Sequence, residues 1–393
     1  MRITICGGGN AAHTAAGLFA AREEHRVDIY LSFEKEAQSW REGVSARGGI
    51  LVRGVGGPLL GCPHEISSEP GAVIPGAQIV ILALPAFAHE TVLKEIGVYL
   101  EEGAWVGALA ARGCFDLAAR EALSANAERV RLFGLQTLPW ACRIQEYAQV
   151  VDVLGTKKKL DMASTHNEDV GELVYCLGEA IGSGVDLIEN FISLTLAGTG
   201  QLIHPGVMYG LFRSWDGKPF DEPPLFYQGI DAETADILQA MSDEVQGVKA
   251  DLERLYSNLD LSAVRPLDEW LKRSYGNDIQ DVTSLQKSFT SNRSYAGLKA
   301  PVRGVNGGVA PDFHARYLLE DVPYALLATR GIAALTGTPT PVIDSVITWA
   351  QERLDKEYLV EGILCGKDIP VTRAPQRFGL GDLDELVSAT KTL

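Results

Sequence analysis

At 393 residues the chain is long enough for two or three domains of about 150 residues each and for a sizeable core. A net charge of −16 sets its surface against phosphate polymers and anionic lipid, so neither nucleic acid nor membrane is an expected partner. Six cysteines without a C-x-x-C pair predict neither a disulfide scaffold nor a metal site, and no apolar run reaches the roughly 18 residues of a membrane span.

The first predicted element is a strand over residues 2–6, which runs into Gly7-Gly8-Gly9-Asn10-Ala11-Ala12-His13 and then a helix-forming stretch at 15–21. Glycines and Asn10 interrupt anything like a signal sequence, and the expectation is a cytoplasmic protein. Gly7-x-Gly9-x-x-Ala12 is a dinucleotide-binding fingerprint in the right context. Gly7 allows the tight turn, Gly9 lets a pyrophosphate approach the backbone, and Ala12 is small enough for the helix to pack on the strand. The free N–H groups of the helix start favour the phosphates. The predicted cofactor contacts are Gly7, Gly8, Gly9, Asn10, Ala11, Ala12, Ser32, Pro85 and Ala86.

A second strand over 26–31, a polar helix over 34–42, an apolar strand over 78–84, a helix over 90–100, and strands over 104–109, 129–135 and 149–154 follow. Alternation of this kind predicts a doubly wound parallel sheet with ligands beyond the carboxyl ends of its strands. No acid stands at the usual ribose position after the second strand. Glu34 is close but is better placed to begin the following helix, and no arginine is there to take a 2′-phosphate, which leans the cofactor toward NAD. Helical periodicity at 235–258, 267–274, 317–336 and 341–354 predicts a mostly α-helical second domain. The domains are placed at residues 1–198 and 199–393.

Histidine is the residue type best suited to proton transfer near neutral pH. His25, His64 and His166 lie in polar loop contexts, His13 and His89 are expected to pack, and His314 is ambiguous. His204 differs, standing before Pro205 in a small-residue segment at the domain change.

Several longer motifs occur in a fixed order. After Gly7–His13 come Leu84-Pro85-Ala86-Phe87-Ala88-His89 and Thr137-Leu138-Pro139-Trp140-Ala141-Cys142-Arg143-Ile144, then Ile203-His204-Pro205. Pro224-Leu225-Phe226-Tyr227-Gln228-Gly229-Ile230-Asp231, Gly307-Gly308-Val309-Ala310-Pro311-Asp312-Phe313 and Arg316-Tyr317-Leu318-Leu319-Glu320-Asp321 complete the set. Together they resemble the opine dehydrogenases of marine invertebrates over nearly the whole chain. The resemblance implies a Rossmann domain and a helical domain closing over a cleft. It also implies that NADH reduces the imine formed from pyruvate and an amino acid, regenerating NAD in anaerobic glycolysis. By the same resemblance His204 is the acid/base, Asp321 its carboxylate partner, and Arg316 binds a substrate acid group. Arg112, Gln136, Thr137, Cys142 and Trp270 are further substrate contacts, no metal is required, and a monomer is expected.

Departures from the octopine pattern bear on the amine. Gln136 stands where arginine-using members carry a glutamate, Arg112 where they carry a glutamine, and Gly198 and Gly200 where bulkier residues are found. A lost negative charge and a gained positive one point to taurine, β-alanine, alanine or glycine rather than arginine. Arg112 is equally open to a loop-tethering role. Octopine formation proper, a hydroxyacid or glycerol-phosphate dehydrogenase, and an NADH-sensing protein are the rival readings. The second would usually need a catalytic lysine, and neither Lys218 nor Lys272 has a supporting context.

Overall fold

A computed structural model describes residues 1–54 and 56–390. The chain divides into two compact units, Met1–Ala111 with Phe115–Phe191 and Thr390, and Arg112–Cys114 with Ile192–Ala389.

The first unit is built on β1 (Arg2–Cys6), α1 (Asn10–Ala20), β2 (Arg26–Tyr30), α2 (Glu34–Arg47), β3 (Ile50–Arg53), β4 (Leu59–Gly61), β5 (Glu65–Ser67), α3 (Pro70–Val73), β6 (Ile79–Leu82) and α4 (Ala86–Ile96). It continues through β7 (Trp105–Ala108), α5 (Phe115–Leu123), β8 (Arg131–Leu135), β9 (Trp140–Glu146), β10 (Val150–Thr156), β11 (Lys159–Ser164), α6 (Val170–Ile181) and β12 (Gly184–Ile188). The main sheet has the order β12-β11-β8-β7-β6-β1-β2-β5. Neighbours are parallel except β11 against β8. Ile3, Ile5, Val27, Ile29, Ile79, Ile81 and Val106 are wholly or almost wholly buried, as β-branched runs covered on both faces must be. Strand order reverses at β1, which pairs with β2 on one side and β6 on the other, and the glycine turn leaves the sheet there.

One expected sheet strand lies elsewhere. The 149–154 run becomes β10, in a separate four-stranded sheet of order β4-β3-β10-β9. Its partners are antiparallel β9 and parallel β3, and the latter is about a hundred residues away in sequence. This sheet lies close against α1 because both surfaces are small at the contact. A Cβ on Gly61 would come within 2.1 Å of the Gly17 carbonyl oxygen, and one on Gly17 within 2.4 Å of a Val52 methyl.

The second unit is mainly helical. After α7 (Phe191–Leu196) come α8 (Gly200–Phe212), the 24-residue α9 (Ala232–Leu255), α10 (Leu267–Tyr275) and α11 (Leu285–Thr290). A hairpin of β13 (Val302–Val305) and β14 (Gly308–Pro311) follows, then α12 (Arg316–Leu319), α13 (Leu327–Thr336) and α14 (Pro341–Leu354). The Asp231 side chain caps α9 by accepting from the Thr234 N–H at 2.8 Å. Glu244, from within α9, accepts from Val342 and Ile343 N–H at 2.7 and 2.9 Å and so caps α14 from a neighbouring helix. The run expected as one helix over 317–336 is broken. α12 is a single turn, and residues Val322–Leu326 form a π-helical turn before α13. Pro323 has no N–H to donate, and the widened turn starts directly after Asp321. No described helix is long and apolar enough to cross a membrane.

Candidate active site

In the first unit the glycine turn is shaped for a pyrophosphate. Gly7 sits at φ +127, and its N–H donates to the Tyr30 carbonyl at 3.0 Å, locking the loop to β2. Gly9 is the residue before α1 and provides no side-chain cap, and the first turn of that helix carries no acid. A Cβ on Gly9 would meet nothing within 4 Å, whereas one on Gly8 would run into the Glu36 carboxylate. Open space therefore lies over uncapped helix N–H groups, which fits an anionic diphosphate. Ala12 is fully buried against the sheet. The Asn10 side-chain oxygen accepts from the Ile144 N–H at 2.8 Å, so it ties the loop to β9. Pro85 and Ala86 form the start of α4 beyond β6.

His13 is structural. Its Nδ1 donates to the Gly9 carbonyl at 3.0 Å and its Nε2 accepts from the Ala148 N–H at 2.8 Å, which fixes a neutral tautomer. Burial pushes its pKa down to about 4.

A carboxylate from α4 lies at the end of β2. Glu95 Oε2 accepts from Tyr30 Oη at 2.8 Å and from Ser32 Oγ at 2.9 Å. Glu34, which does begin α2, is held by Ser68 and Arg41, and these contacts keep its carboxyl below the usual range. Gln136, at the carboxyl end of β8, is buried, and its N–H donates to the Asp161 carbonyl at 2.9 Å. Thr137 follows it in the bend before β9. Cys142, on β9, is buried, and burial raises its thiol while Thr14 hydrogen-bonds to it.

In the second unit α8 carries His204 with its side chain about a fifth exposed. Its Nδ1 is 2.8 Å from Asp321 Oδ2 and its Nε2 3.3 Å from the Tyr227 hydroxyl. Tyr317 stacks on the ring at 4.3 Å and 12°. A carboxylate on Nδ1 makes that nitrogen the N–H donor and leaves Nε2 to carry the exchangeable proton. Tyr227 is pushed well above the ordinary tyrosine range by its burial, reinforced by the neighbouring tyrosines and Asp321, so it meets Nε2 as a neutral phenol. Its ring stacks on Tyr295 at 3.9 Å, Tyr295 meets Tyr275 at 4.9 Å, and Tyr275 meets Trp270 at 5.9 Å. Trp270 thus ends a row of rings that begins beside His204.

Asp321 has a second partner, Arg112, whose Nη1 is 2.8 Å from Oδ1. That approach is an ion contact without hydrogen-bond alignment. Arg112 Nε also donates to Glu320 Oε1 at 3.3 Å, and Arg316 Nε donates to Glu320 Oε2 at 2.6 Å. Burial opposes the Arg112 charge, but Asp321 and Glu320 outweigh it and hold the guanidinium as a cation. Arg112 is thus paired with two carboxylates, Glu320 and Asp321, which matches the tethering role left open for it in the sequence. Arg316 and Asp321 both stand outside a continuous helix, one opening α12 and the other preceding the π turn. Tyr227, Glu320, Tyr317 and Glu95 take part in these contacts without having been singled out in the sequence. For Glu320 a signal existed in the Arg316/Glu320 spacing of four.

The family model described as "NAD/NADP octopine/nopaline dehydrogenase, alpha-helical domain" matches residues 187–354. An octopine dehydrogenase of Mizuhopecten yessoensis is 38% identical over 400 residues, covering 100% of this chain and 99% of the relative. A tauropine dehydrogenase of Arabella iricolor is 34% identical over 397 residues, covering 98% and 99%. A solved octopine dehydrogenase with NADH and L-arginine superposes with a TM-score of 0.90 at 38% identity, covering 100% of this chain and 98% of that one.

Proposed function

The chain belongs to the octopine/nopaline dehydrogenase family, and from that premise we propose that it joins pyruvate to a small amino acid by NADH-dependent reductive condensation. The amine is taurine, β-alanine, alanine or glycine, and the product is an N-(1-carboxyethyl) amino acid. The observation that carries this reading is the imidazole of His204, fixed at Nδ1 by Asp321 with Nε2 left to hold a proton.

Amine and pyruvate lose water to give an imine, and bound NADH would supply the hydride to its carbon. His204 Nε2 delivers the proton to the keto oxygen or imino nitrogen, and Asp321 steadies the ring as its charge changes. Arg316 holds Glu320 Oε2 with its Nε and Nη2, and its side chain is otherwise well exposed, which leaves Nη1 to donate to a substrate carboxylate. Preference for NADH over NADPH is supported by Glu95, whose carboxylate at the end of β2 suits a ribose hydroxyl and opposes a 2′-phosphate.

With Arg112 paired, the case against arginine rests on Gln136, which offers no counter-charge to a guanidinium. A buried unpaired cation costs several kcal/mol. The test is kcat/KM for arginine against the four small amines in the wild type and in Gln136→Glu. One of the small amines should lead by orders of magnitude in the wild type and lose ground in Gln136→Glu. Arginine leading in the wild type would overturn the proposed amine class and leave octopine formation as the activity.

A further inference from the structure

Arg112 and Gly200 are separate departures in the sequence and one device in the structure. A Cβ on Gly200 would lie 3.0 Å from Arg112 Nη1, 3.7 Å from Asp321 Oδ1 and 3.8 Å from His204 Cε1. Guanidinium and imidazole are therefore within about 7 Å of each other, on either side of a position that has no side chain. A side chain at position 200 would crowd the guanidinium where it meets the far oxygen of the carboxylate that holds His204.

The segment carrying Arg112 is held firmly. Arg112 and Cys114 adopt left-handed backbone at φ 65 and 46, a conformation unfavourable for non-glycine residues. Hydrogen bonds from Gly113 N–H to the Tyr324 carbonyl and from Cys114 N–H to Thr195 Oγ1, both at 2.9 Å, keep it there. A Cβ on Gly113 would come within 2.5 Å of Ala328, so within the second unit the turn is packed tightly against α13. Strain of this kind persists where the surroundings over-determine it.

We infer that Arg112, seated in the space left by Gly200, is a positioning residue that sets the charge balance of the His204–Asp321 pair rather than a substrate-binding cation. Arg112, Arg316, Glu320 and Asp321 carry two positive and two negative charges, so the cluster is balanced when the His204 ring is neutral. Among the described residues, Tyr227 and Tyr317 also contact the ring, and neither can supply a positive charge in place of the guanidinium. Removing the guanidinium leaves one negative charge in excess beside the ring and favours the imidazolium. The sign follows. Without Arg112, the form of His204 that donates a proton persists to higher pH, and the form that accepts one appears only at higher pH. A unit charge within about 7 Å, partly screened, is worth about one pH unit.

The inference rests on the proposed acid/base role of His204, and its test is chosen to stand apart from turnover. The imidazole of His204 is titrated by NMR in the free protein, without substrate, in the wild type, Arg112→Gln, Arg112→Lys and Gly200→Ala. Its midpoint should rise by about one pH unit in Arg112→Gln and stay near the wild-type value in Arg112→Lys. Gly200→Ala should shift it part of the way, because its methyl group displaces the guanidinium. The limbs of the kcat/KM pH profile should move with these midpoints if His204 is the acid/base. Equal midpoints in wild type and Arg112→Gln would overturn the inference, as would an equal shift in Arg112→Lys. Shifted midpoints with unmoved rate limbs would instead overturn the role of His204 in the reaction.

Discussion

Gly9→Ala separates cofactor binding from folding. The backbone at Gly9 is φ −86 and ψ −171, which alanine adopts without strain, and its Cβ would touch no protein atom within 4 Å. Alanine is a poorer residue at a helix start, but it also restricts the unfolded chain, and the two effects oppose each other within about 1 kcal/mol. Unfolding midpoints of Gly9→Ala should therefore stay close to wild type. The methyl group occupies the space over the α1 N–H groups, where it would push a pyrophosphate outward. Each charge-assisted hydrogen bond weakened there is worth about 1.5–3 kcal/mol, so NADH affinity should fall about 10- to 100-fold. Gly7→Ala is the contrast. Its φ of +127 and the 2.8 Å approach of its Cβ to the Ala83 carbonyl oxygen make it a folding mutation, costing about 2 kcal/mol or more. The assay pairs denaturant unfolding with NADH fluorescence titration on both variants. Unchanged NADH affinity in a folded Gly9→Ala would refute the placement of the pyrophosphate.

His204→Ala should lower turnover by about 10²–10⁴-fold, and Asp321→Asn should lower it while leaving NADH affinity intact; a His204→Ala enzyme near wild-type rate would identify another acid. Glu95→Gln should narrow the preference for NADH over NADPH, read as the ratio of the two kcat/KM values, and an unchanged ratio would remove Glu95 from cofactor selection. His13 predicts an acid sensitivity of the fold. Its pKa falls from 6.5 to about 4 on burial, so between those values the unfolded chain binds a proton that the native one does not, and stability drops as pH is lowered through that window. From about pH 7 to pH 5 the loss from this residue approaches roughly 2 kcal/mol, and His13→Gln should flatten the urea-midpoint profile over that range; an equal slope would contradict it.

Local physics made much of this legible from the chain. The glycine turn between β1 and α1 and the helix over Pro341–Leu354 follow from short-range steric and periodic patterns, and they stand in the structure where the sequence put them. β10 did not, because an apolar run states that a strand forms but not which sheet it joins, and its partner β3 lies far away along the chain. Glu95 was hidden for a similar reason: a surface-facing position on a helix gives no hint that it closes over the end of another strand. Arg112 was visible as an unusual charge, yet its meaning depends on residues 208 and 209 positions away, Glu320 and Asp321, which no local pattern connects to it.

The most direct test of the central claim is NADH oxidation monitored with pyruvate alone, amine alone, and both together across taurine, β-alanine, alanine, glycine and arginine, with the product identified by mass. The account predicts little oxidation with either substrate alone, rapid oxidation with pyruvate and a small amine, and a product heavier than that amine by a carboxyethyl group. Oxidation that proceeds with pyruvate alone and ignores every amine would contradict it.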